Sequence, residues 1–147
     1  MREITLGYEK QILQDWKDKK LYEKWFKQFP DVFDKEDLGL ARRRPSFHFG
    51  EWFVAKHYAE KGYKSLLEKF GCKNHDRKNK IISKYLNLKK LMCIPKFPDL
   101  FVYKNKEFFF VEVKKGGDRL NAKQGECFEK IKQEFGCEVI LCNLEHR

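Results

Sequence analysis

The segment Glu107 to Lys114 limits the possible folds of this chain most strongly, because both of its alternating faces begin with apolar side chains. Phe109, Val111 and Val113 share one face, and the opposite face begins with two further phenylalanines. A strand that starts apolar on both faces belongs inside a sheet, where layers cover it from both sides. The sequence therefore predicts that this segment is a central strand.

The spacing of apolar residues elsewhere predicts both helices and strands. Lys104-Asn105-Lys106 separates two apolar runs and predicts a hairpin. The expected elements are a helix from Tyr8 to Gln28, a loop from Asp31 to Pro45, a helix from Gly50 to Lys61, a strand from Tyr63 to Phe70, a short helix capped by Asp76, hairpin strands from Pro98 to Tyr103 and from Glu107 to Lys114, a helix from Asn121 to Phe135 and a strand from Cys137 to Cys142. This order predicts an α/β fold with a mixed central sheet flanked by helices.

Length and composition exclude several classes of protein. The 147 residues suit a single domain, and an aromatic content of 16% excludes wholesale disorder. The longest apolar run falls well short of the roughly 18–20 residues of a membrane span, so we expect no membrane segment. The first ten residues lack the apolar core of a secretory signal. The five cysteines do not form a regular disulfide framework, so we expect reduced thiols and a cytoplasmic location.

Positive charge is concentrated in the middle of the chain. The net charge is +10, and residues 46–96 hold 12 basic and 4 acidic side chains. Such a segment favours a polyanionic partner, of which nucleic acid is the commonest, although a solvated lysine-rich face has the same composition. The candidate DNA contacts in this segment are Arg77, Lys78, Lys80 and Lys84. The run Arg42-Arg43-Arg44 is either a further phosphate contact or an exposed basic turn.

The hairpin register brings two carboxyl groups together. A turn at Asn105-Lys106 pairs Lys104 with Glu107, and counting back along both strands from that pair places Asp99 opposite Glu112. Opposed residues have Cβ atoms about 4.5–5.5 Å apart, so the carboxylates repel each other unless a cation lies between them. Oxygen ligands of this kind suit Mg²⁺ or Mn²⁺, and Lys114 would then lie beside the metal.

Each of these residues also has an ordinary structural interpretation. Asp99 follows a proline and is a reasonable strand-entry residue, and Glu112 with Lys114 can form an ion pair along one strand. The Cys72-x-x-His75 spacing is typical of zinc ligands, but no second pair lies nearby in the sequence, so we take it as coincidence.

The same residues carry a resemblance to a known family. Pro98-Asp99 and Glu112-Val113-Lys114 resemble the motif of the PD-(D/E)XK nuclease superfamily. The run E-V-K-K-G-G-D-R-L from Glu112 to Leu120, followed by Gln124, is similar to the VRR-NUC branch, whose pattern is E-V-K-G-P-G-D-R-L and then Q. The resemblance extends from about Gly50 to Cys142. Two loop positions depart from the pattern, with Lys in place of the family's Gly and Gly in place of its Pro.

The resemblance implies a fold and a set of roles. The fold would be a single domain with a restriction-endonuclease-like core over residues 46–147, preceded by a helical extension over residues 1–45. Asp99, Glu112 and the Val113 carbonyl would bind Mg²⁺, for which Mn²⁺ would substitute, and Lys114 would position the attacking water. Further implied site residues are Gln124 facing the active site, Glu51 completing the metal site directly or through a water, and Lys115 and Arg119 contacting nucleic acid.

Three of these residues have alternative explanations. Gln124 with Asn121 has the spacing of a capping box, in which the glutamine side chain bonds back to the start of its helix. Glu51 is favoured by the helix dipole as an acidic residue in a first turn. Asp118-Arg119 either orders its loop or contacts phosphate.

The resemblance further implies a Mg²⁺-dependent endonuclease that acts on branched DNA such as Holliday junctions as a homodimer. Flap or general duplex cleavage is the first alternative, and a non-catalytic DNA-binding module on the same fold is the second. The N-terminal aromatic stripe would either form the dimer interface or cover an open face of the sheet; its residues are Tyr8, Ile12, Trp16, Tyr22, Trp25 and Phe26.

Overall fold

The computed structural model describes residues 1–67 and 76–147. In chain order its elements are β1 (Arg2–Tyr8), α1 (Lys10–Asp18), α2 (Leu21–Gln28), α3 (Lys35–Arg43), α4 (Pro45–Ala59), β2 (Lys64–Leu67), α5 (Asp76–Ile82), α6 (Leu88–Met92), β3 (Leu100–Lys104), β4 (Glu107–Lys115), α7 (Ala122–Phe135) and β5 (Val139–His146). The predicted α/β fold with a mixed sheet is confirmed. The end of the predicted strand from Tyr63 to Phe70 and the Cys72-x-x-His75 pair lie outside the described residues.

The strands form one five-stranded sheet in the order β1-β5-β4-β3-β2. Strands β2, β3 and β4 are antiparallel neighbours, whereas β5 runs parallel to both β4 and β1. Strand β4 is therefore central, as its two apolar faces predict. The hairpin has the expected register, because Lys104 pairs with Glu107 and Leu100 pairs with Val111.

A hydrophobic core covers each face of the sheet. On one face, Trp16, Trp52 and Val111 belong to a cluster that includes α1 to α4. On the other face, Phe110 and Phe128 belong to a cluster that includes α5, α6 and α7. Burying a large apolar side chain stabilises a fold by roughly 1.5–3 kcal/mol, so the two cores hold the sheet from both sides. No helix in the described ranges is long and apolar enough to cross a bilayer.

The prediction of one long N-terminal helix is wrong. Residues Arg2–Tyr8 form an edge strand, in which Ile4 pairs with Cys142, and two helices follow it. Lys20 has a φ of 51°, a left-handed conformation that interrupts helical hydrogen bonding between α1 and α2. The N-terminal segment therefore contributes a strand to the sheet in addition to its helices.

The prediction of a loop from Asp31 to Pro45 is also wrong, because α3 lies within it. Asp34 caps this helix: its Oδ1 accepts a hydrogen bond of 2.8 Å from the Asp37 backbone N–H. The Asp34 N–H in turn donates to Asp37 Oδ2 at 3.0 Å, which completes a capping box. The reciprocal residue is Asp instead of the usual Glu or Gln, so the motif was missed.

Half of the N-terminal aromatic stripe is buried, and the rest packs against the same hydrophobic core. Trp16, Tyr22 and Trp25 are buried in the first core, where the Trp16 ring packs against both of the others. Trp16 Nε1 also donates to the Pro45 carbonyl at 2.9 Å, which ties α1 to the start of α4. Of the two interpretations of the stripe, this packing supports cover for one face of the sheet, and a dimer interface could use only the partly buried Tyr8, Ile12 and Phe26.

Candidate active site

The hairpin places Asp99 next to Glu112, just before β3 begins and near the end of β4. The Asp99 backbone N–H donates to Glu112 Oε1 at 3.2 Å, and the Val113 N–H donates to Asp99 Oδ2 at 2.8 Å. Each carboxylate thus bonds to the backbone of the opposite strand. The strand pairing itself holds the two acids together at fixed positions.

Glu112 is an acidic side chain in an environment that opposes its charge. It is only 4% exposed. Burial, and then the charge and hydrogen bond of Asp99, raise the pKa of Glu112 to about 8, although Lys114 partly offsets the shift. Lys114 alone does not balance the charge of two acids this close, and a divalent cation would supply the rest.

Lys114 supplies one cation at the site. Its Nζ lies 3.3 Å from Glu112 Oε2 and is within 3.4 Å of Gln124 Oε1. The contact to Glu112 is the same-strand ion pair considered above, and it also points the ammonium group at the carboxylate pair.

Gln124 forms the suggested capping box and also contacts the acidic pair. Its Oε1 accepts the Asn121 backbone N–H at 3.2 Å, and the Asn121 side chain accepts the Gln124 N–H at 2.8 Å, so the capping box is present. The Gln124 Nε2 donates to Glu112 Oε2 at 3.0 Å. The capping box therefore positions the amide that contacts the acidic pair.

Glu51 is not brought into a group of three carboxylates. No cluster of three or more His, Cys, Asp or Glu side chains arranged for a metal occurs in residues 1–67 and 76–147. Gly50, which precedes Glu51 in α4, packs against Val113 and Lys115. A Cβ atom added to Gly50 would lie 3.3 Å from Val113 Cγ1. Since side chains alternate along β4, those residues face away from Glu112. The described site consists of two acids, one lysine and one amide.

The predicted DNA contacts divide into surface residues and one buried residue. Lys80, Lys84 and Arg119 are exposed, Lys115 is half-buried, and Arg77 pairs with Asp34 at 3.2 Å. Lys78 is only 3% exposed, and its Nζ bonds to Asp37 Oδ1 at 2.9 Å and to the Leu67 carbonyl. The prediction that Lys78 contacts DNA is therefore wrong, because its charge is paired in the interior.

Strand β1 adds polar residues that the sequence analysis missed. Asn143 on β5 pairs with both Lys114 and Thr5, so the three side chains form a row on one face of the sheet. Beside this row is a groove of about 510 Å³ lined in part by Arg119 and Glu3. Polar residues alternating with Ile4, Leu6 and Tyr8 were the available signal for this strand.

One comparison with known proteins found a match. The family model described as the VRR-NUC domain matches residues 36–145, a range that contains Asp99, Glu112, Lys114 and Gln124. The match begins before Gly50 and so includes most of α3 and all of α4. Searches among curated proteins and among solved structures found no significant match.

Proposed function

The chain belongs to the VRR-NUC family, and from this we propose that it is a Mg²⁺-dependent endonuclease that hydrolyses phosphodiester bonds in DNA. Family membership indicates a nuclease acting on DNA, and VRR-NUC nucleases generally use divalent metals. The observation that carries the proposal is the close pair of Asp99 with the buried Glu112, with Lys114 and Gln124 in contact with Glu112.

The donor set fits a hard divalent cation. Two carboxylates held side by side, with Glu112 short of positive charge, are oxygen ligands of the kind that Mg²⁺ prefers. Asp99, Glu112 and the Val113 carbonyl would hold the ion. When bound, Mg²⁺ neutralises charge on the scissile phosphate and lowers the pKa of a bound water.

The remaining site residues act through position and charge. The Lys114 ammonium is held against Glu112, where it can orient the attacking water and stabilise negative charge that develops on the phosphate. Gln124 fixes the Glu112 carboxylate by donating to one of its oxygens. Because a helix cap sets the Gln124 side chain, this orientation is in place before DNA binds.

We further propose that the preferred substrate is branched DNA such as a Holliday junction. One domain with one metal site cuts one strand at a time, and two symmetric cuts in a junction require a two-fold homodimer. Light scattering at micromolar concentration, with and without junction DNA, tests the dimer. A monomer on bound junction DNA would contradict the Holliday-junction proposal and favour flap cleavage.

A cleavage assay tests the proposed function directly. Labelled single strands, duplexes, flaps and four-way junctions are incubated with the protein in Mg²⁺, Mn²⁺, Ca²⁺ or EDTA. We expect cleavage in Mg²⁺ and Mn²⁺, and binding without cleavage in Ca²⁺. Binding with no cleavage under any condition would instead indicate a non-catalytic DNA-binding module.

A further inference from the structure

Phe47 is an aromatic side chain on the surface that the proposed site does not use. It lies in the first turn of α4 and is 62% exposed, more than any other large apolar residue in the described part of the chain. An isolated exposed apolar residue is common on protein surfaces, so exposure alone has no functional meaning. The residues around Phe47 are what suggest a function for it.

One arginine contacts this ring, and two more precede that arginine in the chain. The Arg44 guanidinium lies over the Phe47 ring, with Cζ at 4.1 Å from the ring centroid. Arg42 is neutralised by a two-pronged ion pair with Glu23, at 2.6 and 2.9 Å. Arg43 and Arg44 are exposed, and neither makes an ion pair with any described residue. The exposed ring therefore lies in a positively charged surface.

Helix α4 places Phe47 at the same end of the sheet as the candidate active site. Tyr58, near the end of the helix, packs on Phe109 near the start of β4, with ring centroids 5.3 Å apart. Gly50, near the start of the helix, packs against Val113 and Lys115 near the end of β4. The helix thus runs antiparallel to β4, and its first turn lies at the end of the sheet that carries Glu112, on the face opposite that carboxylate. Its positive dipole end points the same way.

We propose that Phe47, supported by Arg44, stacks on an unpaired nucleobase of DNA bound at this end of the sheet. This inference rests on the proposed function, because it assigns a DNA contact to the end of the sheet that carries the candidate active site. An aromatic face backed by a guanidinium accepts any base without reading its sequence. The neighbouring cations can hold the adjoining phosphates. Unpaired bases occur at branches and single-strand ends, so the contact would favour such DNA over continuous duplex.

Removing both stacking partners in turn tests the contact. Binding of a fluorescein-labelled flap DNA is measured by anisotropy in Ca²⁺, for wild-type protein and for Phe47→Ala. The same measurement is repeated on flap DNAs in which an abasic site replaces each nucleotide near the branch in turn. We expect Phe47→Ala to weaken binding of the intact flap by roughly 5- to 150-fold. On the DNA that lacks the stacked base, wild type and Phe47→Ala should bind equally.

Two further variants separate stacking from general apolar contact. Phe47→Trp should retain wild-type affinity, whereas Phe47→Leu, which is apolar without a π face, should bind nearly as weakly as Phe47→Ala. Met92→Ala, at another exposed apolar residue, is the matched control and should bind as wild type. Thermal melting checks that each variant folds.

The outcomes distinguish this inference from the proposed function. The stacking contact is overturned if wild type and Phe47→Ala bind the intact flap equally. It is also overturned if Phe47→Ala binds every abasic DNA more weakly than wild type by the same factor. If wild type still cleaves DNA in Mg²⁺, the proposed function stands without the contact. A wild-type protein that neither binds nor cleaves any DNA would overturn both.

Discussion

Glu112 is costly to bury as a charged group, and it is also the central residue of the candidate metal site. A buried carboxylate with a second acid beside it is costly to ionise in the metal-free protein, because burial and Asp99 both oppose the charge of Glu112 and Lys114 offsets this only in part. The same deficit of positive charge favours binding of a divalent cation. Asp99 and Lys114 share the site, so all three side chains are expected to be required for cleavage.

We predict that Asp99→Asn, Glu112→Gln and Lys114→Ala each lower the single-turnover cleavage rate by a hundredfold or more, roughly the loss seen when a charge-stabilising group is removed. DNA binding in Ca²⁺ should persist. Glu126→Gln, at an exposed acid on α7, should cleave at the wild-type rate. Cleavage by Glu112→Gln near the wild-type rate would contradict the assignment.

The two roles of Gln124 can be separated by substitution. Gln124→Glu keeps an oxygen that accepts the Asn121 N–H, but it loses the amide that donates to Glu112 and adds a like charge. We therefore expect slower cleavage with the stability of α7 retained.

Asn121→Ala makes the complementary change. It removes the N-cap acceptor and should lower the free energy of unfolding by about 1 kcal/mol, with cleavage largely kept. Urea unfolding and single-turnover kinetics on both variants measure the two effects. Equal cleavage by Gln124→Glu and wild type would limit Gln124 to a capping role.

At the scale of secondary structure, an interior ion pair joins α3 to α5 and to the end of β2. Lys78 Nζ contacts Asp37 on α3 and the Leu67 carbonyl on β2. Burial raises the pKa of Asp37 to about 6, against the opposing effect of the Lys78 charge. Since this pKa is raised above its unfolded value, the contribution of Asp37 to stability falls as pH rises from about 4 through 6.

We predict that Lys78→Met lowers the free energy of unfolding by about 3–5 kcal/mol at pH 8, because it leaves the Asp37 charge buried without its cation. Without Lys78 the Asp37 pKa rises further, so the loss should be smaller at pH 5, where the carboxyl is protonated.

The double variant Lys78→Met/Asp37→Asn should recover most of the lost stability. Denaturant unfolding at both pH values measures these changes. A loss that is the same at pH 5 and pH 8 would show that the charge of Asp37 is not its cause.

At the scale of the whole molecule, we expect charge rather than shape to direct DNA to the site. The excess of basic residues over 46–96 includes the exposed Lys80 and Lys84, whereas Lys78 is neutralised inside. Only exposed cations can displace the counterions condensed on DNA.

We predict that Lys80→Gln/Lys84→Gln flattens the slope of log affinity against log salt by about two units, since each phosphate contact adds about 0.9. Lys10→Gln/Lys17→Gln, on α1, removes the same charge at another surface and should leave the slope nearly unchanged. Anisotropy titrations at several salt concentrations measure both. Equal slopes for the two variants would indicate that Lys80 and Lys84 form only a solvated face.

The sequence by itself determined the features that depend on short separations along the chain. Strand alternation and the turn after Lys104 set the hairpin register, and that register places Asp99 beside Glu112. The Asn121–Gln124 spacing likewise determined the start of α7. These features need only local geometry, so counting residues was sufficient to find them.

Only the tertiary structure decided the features that depend on distant partners. Arg2–Tyr8 becomes a strand because β5, far along the chain, offers an open edge on which to pair. Lys78 can be buried because its ammonium group bonds to Asp37 and to the Leu67 carbonyl. Trp16 is buried because α4 packs over it. Gln124 reaches Glu112 only because α7 folds back onto the sheet face that carries the acids. A side chain's burial and its partner depend on which surfaces meet in the folded chain, and residue spacing does not specify those surfaces.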